Sequence, residues 1–210
     1  FIKWYADVQR QYGIEPYVKV ENPDPFFTQN RYQGDNGEEL FFLANSHLHN
    51  PYRGRIVFTD EITAGRYPWV WDMENGKRWR IELDKEGGYT LDMGPADSLV
   101  IVFDKNKKGP AWNPLPYEGP QSRTLTGWDV ELHHSREGWT KTDRMEQPTD
   151  LKDTPWVDFT GTVTYRTTVD AGSKPGKMLL NLGKVYGVAE LKVNGKDQGV
   201  RWYGRRVYDL

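Results

Sequence analysis

Hairpin punctuation constrains this chain more than any other feature. Of three Asn-Gly pairs, Asn36-Gly37 lies in the turn between Phe26–Tyr32 and Glu39–Asn45, and the other two, a first at Asn75-Gly76 and a second at Asn194-Gly195, each stand between short apolar segments. Asn-Gly supplies the two positive φ angles of a tight two-residue turn, so each pair predicts two antiparallel strands. After the first pair, Trp79, Ile81 and Leu83 alternate with charged residues, the mark of a strand with one buried face. Glu39–Asn45 and Leu99–Phe103 are continuous apolar runs, and Phe26–Tyr32, Arg55–Phe58, Trp69–Asp72 and Tyr89–Met93 are short strand candidates between turns. The breaks come from 21 glycines and 13 prolines. About seven short strands before residue 104 predict a mostly β protein that opens with a β-sandwich over 26–103.

One short N-terminal helix precedes the strands. Phe1, Tyr5, Val8 and Tyr12 fall at i, i+4, i+7 and i+11, and Gly13 and Pro16 stop the pattern. Residues 1–25 therefore read as a helix and turn, expected as the tail of a preceding domain. The strand-like end at Val207–Leu210 is expected to be a cut as well. Residues 104–121 carry Pro110, Pro114, Pro116 and Pro120 with Gly109 and Gly119, and read as a connector with Trp112 and Tyr117 pinned on a neighbouring surface. A second β block follows over 122–210. Its strands are expected at Trp128–Leu132, Thr160–Val169, Met178–Leu182, Ala189–Val193 and Gln198–Tyr203, with Ser135–Thr154 as loop.

Charge and composition exclude several functions. Lys and Arg number 28 against 30 Asp and Glu, so no electrostatic footprint for nucleic acid or an anionic membrane exists. No apolar run nears the roughly 18 residues that cross a bilayer. With no cysteine, disulfides, thiolate metal sites and Cys nucleophiles are ruled out. Nucleotide-binding glycine loops and a Gly-x-Ser-x-Gly elbow are absent.

The 9 Trp, 12 Tyr and 8 Phe can fill β cores or present stacking faces for sugar rings. Arg201-Trp202-Tyr203-Gly204-Arg205-Arg206 has both parts of a sugar site: rings for the apolar face of a pyranose, and Arg for its hydroxyls. Arg201, Trp202, Tyr203 and Arg205 are the candidate carbohydrate-binding residues. Trp202 has a second reading as a hairpin core residue. Trp69 and Trp71 read as packing. His47 and His49 lie two apart and could share a face, but no third metal ligand is near in sequence, so a polar loop role is expected. Adjacent His133 and His134 cannot easily chelate one ion. Glycoside hydrolysis needs two carboxylates across the scissile bond. Pairs such as Asp60 with Glu61, or Asp92 with Asp97, read as solvated turn residues, and no catalytic residue is assigned.

Several stretches resemble the C-terminal region of α-L-rhamnosidase-like glycoside hydrolases of family 106. Glu39–Ser46 looks like the family's "iYFvaN" strand, Trp71–Gly76 like its "lWDpeTG" hairpin, and Asp158–Tyr165 like "dFsGtatY". Leu91–Phe103 matches a further strand with Pro95, Ser98, Val100 and Val102. Leu179–Trp202 resembles "LdLGeV.dvAeVwvNGk.lGvrW", which is shared with the sugar-binding jelly roll of family 2 glycosidases. Gly204-Arg205-Arg206 stands where the family carries a Pro-rich turn.

The resemblance implies a galactose-binding-like jelly-roll β-sandwich over 122–210, truncated at its end. Catalysis in such enzymes sits in an upstream (β/α)8 barrel, which this chain does not contain. The implied partners are the catalytic domain of the same polypeptide and an oligosaccharide or polysaccharide. The implied location is the bacterial periplasm or exterior, with the signal peptide outside this chain. Such folds often hold a structural calcium ion, and the acidic stretch from Asp143 to Asp153 offers oxygens for one, though without EF-hand spacing. No other cofactor is expected. The competing readings are a stand-alone carbohydrate-binding module and a fragment of a family 2 β-glycosidase.

Overall fold

The computed structural model describes residues 2–74, 76–115, 122–172 and 176–210. Asn75 of the first Asn-Gly pair, Phe1 of the helical stripe and Tyr117 of the connector lie outside them. In chain order the elements are α1 (Ile2–Tyr12), β1 (Val18–Val20), β2 (Phe27–Gln33), β3 (Glu39–Asn45), β4 (Tyr52–Phe58), α2 (Asp60–Thr63), β5 (Tyr67–Trp71), β6 (Arg78–Arg80), β7 (Gly88–Met93) and β8 (Asp97–Asp104). Then come β9 (Trp128–His134), β10 (Thr140–Met145), a 3-10 turn (Leu151–Asp153), β11 (Gly161–Arg166), β12 (Leu179–Asn181), β13 (Ala189–Val193), β14 (Lys196–Arg201) and β15 (Val207–Asp209). The chain is mostly β with one short N-terminal helix, as its turn grammar predicts. It forms two compact units: Phe1–Tyr117 with Leu179–Leu210, and Glu118–Met178.

The first unit is built on a β-sandwich. One sheet has the order β2-β3-β8-β5-β6 and the other β1-β4-β7, with antiparallel pairing throughout. β3 alternates buried and half-buried residues along its length. Period-two geometry sends Phe41 and Leu43 inward, along with Ile101 and Phe103 of β8. They meet Ile56 and Phe58 of β4 and Leu91 and Met93 of β7 in one core. Phe58 packs edge-on to Phe103 at 4.7 Å and to Phe41 at 5.1 Å, and Phe27 stacks on Tyr52 at 4.3 Å. Such pairs add to the area that burial removes from water.

The outward face of the five-stranded sheet is also apolar. Segment 105–112 covers half of it. Trp69 is 1% exposed, its indole N–H donates to Asn106 O at 3.2 Å, and a Cβ at Gly109 would sit 2.4 Å from its ring. Arg78 lies over the Trp69 ring at 4.7 Å. The connector then runs beside β6: Arg80 N donates to Pro110 O and Trp112 N to Arg80 O, both at 2.7 Å. Trp112 packs 5.0 Å from Trp79. The described start of the connector, 104–115, is thus pinned through Trp112 and packs as part of the first unit.

The second unit has a three-stranded antiparallel sheet, β10-β9-β11. Val130 and Leu132 are its buried residues. The expectation of loop over Ser135–Thr154 fails at β10, which pairs with β9 along its whole length. Its sequence, Thr-Lys-Thr-Asp-Arg-Met, has no apolar alternation, because five of its six side chains are exposed. Backbone pairing alone defines it.

Contacts draw the boundary differently from the expected block over 122–210. The return segment 179–210 packs with the first unit, where β12 pairs with β15 and β13 with β14. The β13–β14 turn is the second Asn-Gly pair, with φ of 50° at Asn194 and 78° at Gly195. The physical reason for the regrouping is the turn after β14. Gly204 N donates to Ala96 O at 2.9 Å, and Arg205 pairs with Asp92.

Candidate functional site

The turn from Arg201 to Arg206 links β14 to β15, and it is where the four candidate residues sit. The backbone requirement there is strict. Gly204 has φ +61°, and a Cβ on it would lie 2.5 Å from Asp97 Oδ1. Glycine lets the turn rest directly on the loop before β8. Asp97 in turn accepts from Gly94 N at 2.8 Å and from Ser98 N at 2.9 Å. Burial pushes the Asp97 carboxyl up, against those two N–H groups and the charges of Arg205 and Arg206.

Seated this way, the four candidates separate. Arg201 lies over the Tyr208 ring at 5.4 Å, and Tyr208 is 1% exposed and donates its hydroxyl to Ala189 O at 2.9 Å. Arg205 pairs with Asp92, which also pairs with Arg53 at 3.0 Å. Burial pushes the Asp92 carboxyl up, but the two guanidinium groups outweigh it and hold it below the usual carboxylate range. Both arginines are therefore committed to holding the turn. Arg206, itself buried, donates to Gly204 O at 2.6 Å and to Gly187 O at 3.3 Å.

Trp202 is different: it is 60% exposed. Its reading as a hairpin core residue does not hold. Its indole N–H donates to Glu74 Oε1 at 2.6 Å, and its ring meets Tyr203 edge-on at 4.8 Å. Tyr203 is half-buried. Burial pushes its phenol up, and the carboxylates of Glu74, Asp72 and Asp97 push further, against Arg201. Trp202 and Tyr203 form the part of the cluster that can face a ligand.

Glu74 is the residue that sequence reading missed. It lies in the turn after β5, 128 residues from Trp202. The only local signal was the hairpin itself, where Asp72 Oδ1 accepts from Glu74 N at 2.9 Å. The same strand leads onto the uncovered half of the outward sheet face. There Asn30, Tyr32, Phe42, Val100, Trp71 and Met73, with Asp72 at the end, line a shallow groove of ≈ 490 Å³. Tyr32 is 59% and Trp71 37% exposed. The two rings stand on one sheet face with β3 and β8 between them, and exposed rings of this kind can stack against flat, partly apolar ligands such as pyranoses.

The histidines serve turns. His47 Nδ1 accepts from His49 N at 3.1 Å and Asn50 N at 3.0 Å, and its ring meets Phe26 at 4.6 Å. His134 Nδ1 accepts from Glu137 N at 3.1 Å. Among the described residues no group of three His, Asp or Glu is placed to hold a metal ion. In the acidic stretch, Asp143 accepts from Arg144 N at 2.7 Å and Trp156 Nε1 at 3.1 Å, and Asp150 accepts from Lys152 N at 3.1 Å. Asp60 and Glu61 are exposed in the first turn of α2. Among the described residues, no helix is long and apolar enough to cross a membrane.

No family model matches the sequence. No curated protein matches it either. Among solved structures, a rhamnosidase from Novosphingobium sp. PP1Y shares the fold, with a TM-score of 0.67 and 20% identity across 98% of this chain. The match takes in 20% of that rhamnosidase, so the chain spans about a fifth of its length.

Proposed function

We propose that this chain is a non-catalytic accessory region of a glycoside hydrolase resembling the α-L-rhamnosidases of family 106. It braces a catalytic barrel of the same polypeptide and contacts plant polysaccharide through Trp202 and Tyr203. The observation that carries this reading is the fold shared with a rhamnosidase over 98% of this chain but only 20% of that enzyme. The state of the carboxylates supports it. Asp92 is bound by two arginines, and Asp97 is spent on backbone N–H groups. Neither is available as a general acid or nucleophile, which hydrolysis of a glycoside requires. The role asks for no cofactor. The parent enzyme works in the periplasm or outside a bacterial cell, where such polysaccharide is met.

The test uses the whole chain. With an aryl rhamnoside it releases no product, and in an NMR titration with pectic oligosaccharides it shifts the Trp202 indole resonance. Trp202→Ala abolishes the shifts that the oligosaccharide causes at the neighbouring backbone amides of Tyr203 and Gly204, while leaving the β-sheet signature unchanged. Turnover of the rhamnoside by the isolated chain overturns the accessory assignment.

A further inference from the structure

Trp202 is large, apolar and exposed, yet two contacts fix it. Glu74 Oε1 holds its indole N–H at 2.6 Å, and Tyr203 abuts its ring at 4.8 Å with 70° between planes. A hydrogen bond at one edge and a ring at another restrict both side-chain torsions, so the exposed face is presented in one orientation. A bond to an ionised acceptor is about twice as strong as one between neutral groups. Such pre-ordering favours binding, because the ring loses less freedom when a ligand arrives.

The same carboxylate sets the local sign of charge. Arg201 is drawn back over Tyr208, and Arg205 is paired with Asp92, so neither reaches across Trp202 as a counter-charge. Glu74 reaches the Trp202 indole from the hairpin turn after β5, and Asp72 of the same turn lines the groove of the sheet face. A carboxylate on a sugar stacked against Trp202 would meet the like charge of Glu74 at the ring's edge.

We infer that Glu74 is a positioning and specificity residue: it holds Trp202 for stacking and biases the surface towards neutral over acidic glycans. This rests on the glycan-contact reading above and names the ligand class of that site. Glu74→Ala removes the hold and the charge together. Glu74→Gln keeps an acceptor oxygen for the indole and removes only the charge.

The experiment compares α-1,4-linked galactotetraose with α-1,4-linked tetragalacturonate, which differ in the oxidation of the sugar C6, and follows the Trp202 indole N–H resonance in wild type and both variants. In Glu74→Ala the free-protein resonance moves towards that of a solvated indole, and galactotetraose binding weakens about three- to tenfold. In Glu74→Gln the resonance and galactotetraose binding stay near wild type. Tetragalacturonate, the weaker ligand of the wild type, gains about two- to fivefold, and high salt erases that gain. An unmoved resonance in Glu74→Ala overturns the positioning role. Equal binding of the two sugars by the wild type overturns the selectivity. If neither sugar binds the wild type, the glycan-contact reading falls and the selectivity with it, whereas the indole resonance still decides the positioning.

Discussion

Glu39 lies on the inward row of β3, beside Phe41 and Leu43, where a lone charge would be costly. Arg31 on β2 meets it with two hydrogen bonds, at 2.8 and 2.9 Å, and Gln33 adds a third at 2.9 Å. Arg31 also lies over the Tyr17 ring at 3.7 Å. Burial pushes the Glu39 carboxyl up, but Arg31 and Gln33 prevail and hold it below the usual range. A carboxyl depressed in the folded state stabilises fully above its unfolded value, and that stability is lost as pH falls through the folded value. Urea midpoints should therefore drop from about pH 5 downward, and Glu39→Gln should flatten that acid limb. At neutral pH the same variant should lose about 2–3 kcal/mol, since it weakens charged hydrogen bonds at a buried site. Unfolding curves across pH check both. At this scale the sequence was partly readable. Trp202 stood out by its neighbours, but Glu39 reads as an ordinary strand charge, and Glu74 is tied to Trp202 only through the fold.

Strands were legible where burial imposes a pattern. β3 and β8 carry continuous apolar runs because both faces of their sheet are covered in part, and β3 was bounded correctly at both ends. β1 escaped notice: it is three residues long, and its only buried residue is Val18. β10 escaped for the opposite reason, since its face is polar while its backbone is fully paired. Beside the sheet of the second unit lies an aromatic cluster of Trp139, Trp156, Phe159 and His134. Lys141 Nζ lies 4.8 Å from the Trp139 ring and 5.1 Å from that of Trp156. Trp139 lies 4.9 Å from His134 and 5.8 Å from Phe159. Val130 and Leu132 are the fully buried residues among the described residues of this unit, and these rings extend a small core. Trp156→Ala should cost about 1–2 kcal/mol through lost ring and cation contacts. Hydrogen exchange should quicken at the amides of Val130 and Leu132 while those of Leu43 and Ile101 hold their protection.

On the scale of the whole chain, the first unit is assembled from two separated segments, with Glu118–Met178 between them in sequence. Single-sequence reading could not find this, because hairpins are local and the joint is not. It is made by Gly204 N on Ala96 O, by Arg205 on Asp92, and by Trp202 on Glu74. Gly204→Ala meets both a positive φ and a Cβ 2.5 Å from Asp97 Oδ1. It should cost about 1–3 kcal/mol. Limited proteolysis should then cut the variant within 179–206 at a protease level that the wild type survives. The match to the rhamnosidase runs over both segments and the stretch between, so the joint lies within the shared fold.

The joint also fixes a timetable for synthesis. A ribosome extends the chain at about 5–20 residues per second, and N-terminal parts fold as they emerge. The core strands of the sandwich are all delivered by residue 104, whereas Arg205, the guanidinium that joins Arg53 on Asp92, arrives about a hundred residues later. For several seconds the nascent sandwich shows the exit tunnel's surroundings an unfilled seat at Ala96 and Asp97, and a chain released before that point carries the seat without the buckle.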